Sequence, residues 1–141
     1  MTPQTFQCAY CGADASEWDH LRPLVKDKKP TGFISEIHNL VPSCGKCNQS
    51  KGNKEWKAWM FSNAALSPTV RGIKDVAERI KRLEAYENWA VPTQMDFGAI
   101  VGQEDWSKHW QNCERVQSLM RESQELAANI NRRVASAYKE L

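Results

Sequence analysis

Residues 8–54 read CAYCGADASEWDHLRPLVKDKKPTGFISEIHNLVPSCGKCNQSKGNK, and the two CxxC pairs at its ends, Cys8/Cys11 and Cys44/Cys47, decide the fold. Thirty-two residues separate the pairs. Each short pair can form a knuckle, so four thiolates can converge on one tetrahedral ion, for which zinc is the expected occupant. In a reducing compartment such pairs favour metal over disulfide, the alternatives being two isolated pairs, a redox motif or disulfides. Four thiolates leave a zinc ion no open position for water, so this metal is expected to be structural and the chemistry to lie elsewhere.

Between the knuckles, two β-like segments (Glu17 to Leu21, Phe33 to Val41) flank Lys/Asp/Pro/Gly loop residues at 26–32. Asp19-His20 is followed by Pro23, Asn39-Leu40 comes next, and the second knuckle runs straight into Asn48, with Lys51 three residues on. This order resembles the HNH endonuclease family with its ββα-metal fold, over Cys8 to Lys54. The resemblance implies an α+β protein: a small ββα-metal, zinc-stabilised nuclease core followed by a mostly helical C-terminal region. It implies further that His20 is the general base, Asp19 a ligand of a catalytic cation, and Asn39 the residue that orients His20. Asn48 stands where many family members carry the last His, and its side-chain oxygen would be the second ligand, an HNN variant.

Residue chemistry supports these roles independently. Phosphodiester hydrolysis needs a deprotonated water and a cation to absorb charge on the phosphate oxygens. Imidazole titrates near neutrality, and Asp19 and Asn48 offer hard oxygen ligands that favour Mg²⁺ or Mn²⁺ over a second zinc. Neighbouring side chains of a strand point to opposite faces, so Asp19 and His20 can share one site only where the strand bends or ends. No organic cofactor is expected.

The net charge of +2 does not by itself argue for nucleic acid, but residues 1–54 hold seven Lys and Arg against five Asp and Glu, and the remainder balances. Lys51, Arg22, Lys46 and Lys54 are the candidate DNA contacts, Lys51 foremost, against the plainer reading of a solvated helix face and, for Arg22, a surface salt bridge. His38 has no assigned role beyond a phosphate contact. Trp18, beside the Asp-His pair, is the only one of the six tryptophans expected near substrate.

Beyond the knuckles the chain reads as helix, giving expected regions 1–62 (nuclease core) and 63–141 (helical, packing on the core or mediating dimerisation). Trp56 and Trp59 have core spacing on a helix that Gly52 bends or interrupts. Ser67-Pro68 is a helix start signal for a helix over about 68–88, whose apolar stripe is Ile73, Val76, Ala77, Ile80 and Leu83. The stretch 104–140 lacks Gly and Pro and carries a heptad-like seam from Trp106 to Leu141, with His109 and Cys113 read as seam residues. That seam needs a partner, the 68–88 helix or, in a homodimer, its own copy.

At 141 residues with 41% hydrophobic and 26% charged residues, the composition is that of a soluble globular domain. No apolar run can span a bilayer, and the start MTPQTFQC lacks a signal-peptide layout, so a cytoplasmic location is expected and no membrane partner. Two further functions compete with the nuclease: a zinc-stabilised nucleic-acid-binding module that does not cut, and a helical interaction protein with a zinc cap. The joint presence of Asp19, His20, Asn39 and Asn48 favours the enzyme.

Overall fold

A computed structural model describes residues 6–139. The first residues of the chain and the seam residue Leu141, with Glu140, lie outside the described residues. Two compact units are present, Met1–Met95 and Asp96–Leu141.

In the first unit, β1 (Glu17–His20) pairs antiparallel with β4 (Leu40–Ser43), with His20 opposite Leu40 and Glu17 opposite Ser43. Between them lies a small hairpin of β2 (Val25–Lys26) and β3 (Lys29–Pro30). Its two turn residues, Asp27 and Lys28, both have positive φ, the backbone of the tight turns that match strand twist. The strand expected over Phe33 to Val41 is therefore corrected to its last residues and two beyond, because 35–39 is turn structure stapled by side chains. The fully buried Asn39 amide accepts from Arg22 N at 2.8 Å and donates to Arg22 O at 3.0 Å and Ile34 O at 3.1 Å, bonds a strand would have to give up.

The second knuckle opens α1 (Gly45–Lys51), with Cys44 at its N-cap. Gly52, at φ 52°, ends α1, and α2 (Trp56–Phe61) restarts after Glu55, whose carboxylate accepts from Lys57 N and Ala58 N. Gly52 thus interrupts the helix as expected, and Trp56 and Trp59 lie in the core. A helix beginning at 68 is not formed. The Ser67-Pro68 turn closes through Arg71 N to Ser67 O, Gly72 then enters the left-handed region at φ 66°, and α3 runs from Val76 to Trp89. Ile80 and Leu83 of α3 bury into the same core as the knuckle cysteines, Leu21, Val41, Trp59 and Met60, while Ala77 is exposed. This burial carries the first unit past residue 62.

The second unit holds α4 (Phe97–Val101) and the long α5 (Gln103–Lys139). Asp96 caps α4 by accepting from Ala99 N, and Phe97 stacks on Trp106 at 5.6 Å. No described residue of α5 is buried. No helix among the described residues is long and apolar enough to cross a membrane.

Candidate active site

The four knuckle cysteines meet, with their sulfurs all within 4.8 Å of one another and Cys11 Sγ 3.6 Å from Cys44 Sγ. Zn–S bonds of about 2.3 Å in a tetrahedron require sulfurs roughly 3.8 Å apart, so the set could hold zinc. The Cys8 thiol is pushed down to about 4, chiefly by its hydrogen bond with Cys47, and the same bond pushes Cys47 up. Arg71 donates Nη1 to Cys47 Sγ at 3.3 Å, placing a positive charge beside a cluster that becomes anionic when it ligates. In the first knuckle, Gly12 sits at φ 78°, and a Cβ there would come within 2.2 Å of the Arg79 guanidinium, which donates to Cys8 O. Among the described residues these cysteines form the sole group of three or more metal-ligating side chains.

The clasp holds α1 against β1, because Cys47 lies on α1 while Ala9 of the first knuckle bonds through its backbone to Pro42 of β4. Two rungs cross from strand to helix. Asp19, 5% exposed, receives Lys51 Nζ at 3.0 Å on Oδ2, and the same oxygen accepts from Tyr10 OH at 2.5 Å. Glu17 Oε2 accepts from Asn48 Nδ2 at 2.5 Å.

β1 ends at His20, meeting the condition under which Asp19 and His20 can serve one site. The His20 ring is half-buried, with Nε2 2.7 Å from Ser35 Oγ, and its backbone carbonyl accepts from Lys51 Nζ at 2.8 Å. Burial lowers the His20 pKa below its ordinary value, against the opposing pull of Asp19, so the neutral imidazole is favoured. Burial also lowers the Lys51 pKa, with Asp19 opposing, and raises that of Tyr10 well above 10, so the phenol keeps the proton it donates.

The remaining candidates divide. Asn39 does not touch the imidazole; it grips the backbone of Arg22, two residues beyond His20, and holds the segment that leaves β1. Lys51, read as the foremost DNA contact, is corrected: it is fully buried and its ammonium points at Asp19 and His20 O, with no surface left for phosphate. Arg22 is partly buried, and its guanidinium meets Glu87, the His38 carbonyl and the Phe33 ring. Lys46 and Lys54 are exposed, although Lys54 Nζ also bonds Ser50 O at the end of α1. Trp18 is 56% exposed and packs on Phe6, His38 packs on Trp89, and Cys113 Sγ lies 3.7 Å from His109 Nε2.

Three residues escaped the sequence reading: Tyr10, Ser35 and Glu17. Tyr10 sits inside the first knuckle and Ser35 in a loop, where nothing in their local pattern signals a partner. Glu17 carried a signal, because it lies two residues before Asp19 and alternation puts both on one strand face.

Residues 8–54 match the family model described as HNH endonuclease. The chain is also 34% identical, over 96 residues and 65% of its length, to a CRISPR-associated endonuclease Cas9 of Corynebacterium diphtheriae. It spans 8% of the length of that relative. No solved structure matches the chain. These matches support a nuclease-type function in general. Residues 8–54, with their knuckle cysteines, Asp19-His20 strand end and Asn48 helix, are the part of the chain that matches the HNH endonuclease family.

Proposed function

We propose that this chain hydrolyses DNA phosphodiester bonds, with His20 as general base and with Asp19 and Asn48 holding a divalent cation, Mg²⁺ or Mn²⁺. The observation that carries the reading is the apposition of β1 and α1, in which Asp19 and Glu17 of the strand meet Lys51 and Asn48 of the helix. The donor set fits such a cation: the hydrogen bonds of Asp19 run through Oδ2 and that of Asn48 through Nδ2, which leaves one hard oxygen on each. Once bound, the cation would stabilise negative charge developing on the phosphate.

The chain's own residues supply the rest. Nε2 of His20 lies 2.7 Å from Ser35 Oγ, and in the tautomer where Nε2 donates to that hydroxyl, Nδ1 carries the lone pair that takes the proton from water. Lys51 counters the charge of Asp19 and clamps the His20 carbonyl, so base and ligand are held in one geometry. Asn39 fixes the backbone just beyond. Exposed Lys46 and Lys54 on and beside α1 meet the phosphates. The four cysteines hold zinc, which keeps α1 in place without taking part in the reaction. Pairing of two chains along the α5 seam is a finer part of the same proposal, and sedimentation of a monomer at working concentration refutes it.

The test is plasmid cleavage in Mg²⁺ or Mn²⁺, with EDTA and His20→Ala as comparisons. Loss of a general base costs about 10² to 10⁴ in rate. Equal cleavage by wild type and His20→Ala would sink the assignment. Binding of DNA with no cleavage in any metal would favour the non-cutting module instead.

A further inference from the structure

We infer that Glu17 is a positioning residue: it fixes the side-chain amide of Asn48 so that the oxygen, and not the nitrogen, faces the divalent cation. The inference rests on the assignment of Asn48 as a ligand made above. It begins from an ambiguity built into asparagine, whose amide is nearly symmetric in shape but not in chemistry. Oδ1 offers lone pairs to a cation, whereas the Nδ2 amine offers only protons. An asparagine ligand therefore needs a neighbour that decides which end faces the metal.

Glu17 has the right chemistry for that decision. As a carboxylate it accepts and does not donate, so only the amine end of Asn48 can face it. The contact is short, 2.5 Å from Nδ2 to Oε2. The fold also keeps room for it: Gly45, at the start of α1, has no Cβ, and a Cβ there would lie 3.0 Å from Glu17 Oε1. Glu17 is thus seated over the first turn of the helix that carries Asn48.

Register explains why the same strand can supply both groups. Two residues along a strand advance about 6.7 Å, and three along a helix about 4.5 Å. Glu17 and Asp19 therefore meet Asn48 and Lys51 as consecutive rungs. Asp19 is anchored by Lys51 and Asn48 by Glu17, so each oxygen ligand has its own orienting partner.

Binding of Mn²⁺ alone to the zinc-loaded full chain, followed by the electron paramagnetic resonance of the free ion, tests this without reference to cleavage. Loss of an orienting partner of a metal ligand weakens affinity about 10-fold or more, and that is the expected effect of Glu17→Ala. Glu17→Gln, which keeps an acceptor oxygen for Nδ2, should recover most of it. In an Asn48→Asp background the ligand has no wrong end, so adding Glu17→Ala should not weaken binding. The inference is overturned if Glu17→Ala leaves the native affinity intact. It is overturned as well if the loss is equal in the Asn48 and Asn48→Asp backgrounds, because Glu17 would then be a direct ligand. Unchanged binding in Asn48→Ala would remove the ligand assignment itself, and this inference with it. Glu17 is exposed, and zinc content and circular dichroism confirm that each variant is folded.

Discussion

Replacing Lys51 with methionine tests how the site is held. The Lys51 side chain is 1% exposed and that of Asp19 6%, with 3.0 Å between Nζ and Oδ2. At such burial the attraction between the charges is largely consumed by their desolvation, so the pair adds little relative to two apolar groups. Removing one partner is different, because it leaves a buried carboxylate without its counter-charge, a loss of about 3–5 kcal/mol. Tyr10 still donates to that carboxylate, which pulls the loss toward the lower end. The bond from Nζ to His20 O disappears as well, adding about 1 kcal/mol. Lys51→Met should therefore destabilise the zinc-loaded chain by about 4 kcal/mol, a large part of the roughly 5–15 kcal/mol typical of a domain. Urea unfolding, read by circular dichroism and tryptophan fluorescence, measures it. Pairing Lys51→Met with Asp19→Leu should recover stability relative to Lys51→Met alone, since the orphaned carboxylate is gone. A cost below about 1 kcal/mol for Lys51→Met would refute the reasoning and put the pair in the range of exposed ion pairs.

Other outcomes follow from the same geometry. Asn39→Ala leaves Arg22 N, Arg22 O and Ile34 O without their partner, and at about 1 kcal/mol per bond should cost about 3 kcal/mol in the same unfolding assay. It should lower cleavage while leaving zinc content unchanged. The His20 pKa is lowered below 6.5 in the fold, so the unfolded chain binds more protons between the lowered value and 6.5. Stability should rise with pH across that window and the rise should flatten in His20→Gln; the acid limb of cleavage should fall below pH 6.5. Bound zinc, counted by mass spectrometry, should approach one per chain. Strong chelation, or Cys44→Ser, should unfold the region up to about residue 54, since ligation energy is folding energy for such clasps; metal-free protein with full structure would contradict that.

Much of this protein was legible before any coordinates. CxxC spacing is a covalent constraint, and two knuckles that can share one ion predict each other's position across 32 intervening residues. The same holds for Gly52, which ends α1 for backbone reasons, and for Trp56 and Trp59, whose helical spacing shows their burial. The errors lay where a side chain competes with local propensity. Phe33 to Val41 reads as strand by residue type, yet Asn39 spends its amide on Arg22 and Ile34, and a turn results. Ser67-Pro68 reads as a helix start, yet Gly72 closes the turn before a helix can propagate.

The sequence by itself singled out the candidates for the chemistry, because Asp19, His20, Asn39 and Asn48 are distinguished by type and order alone. It could not assign the lysines. Lys46, Lys51 and Lys54 look alike in one dimension, and only the packing of α1 on β1 sends Lys51 inward to Asp19 while leaving the other two in solvent. Tyr10, Ser35 and Glu17 likewise take their roles from partners 9, 15 and 31 positions away. Such pairings depend on where strand and helix meet, and the tertiary structure decides that by closing four cysteines into one cluster.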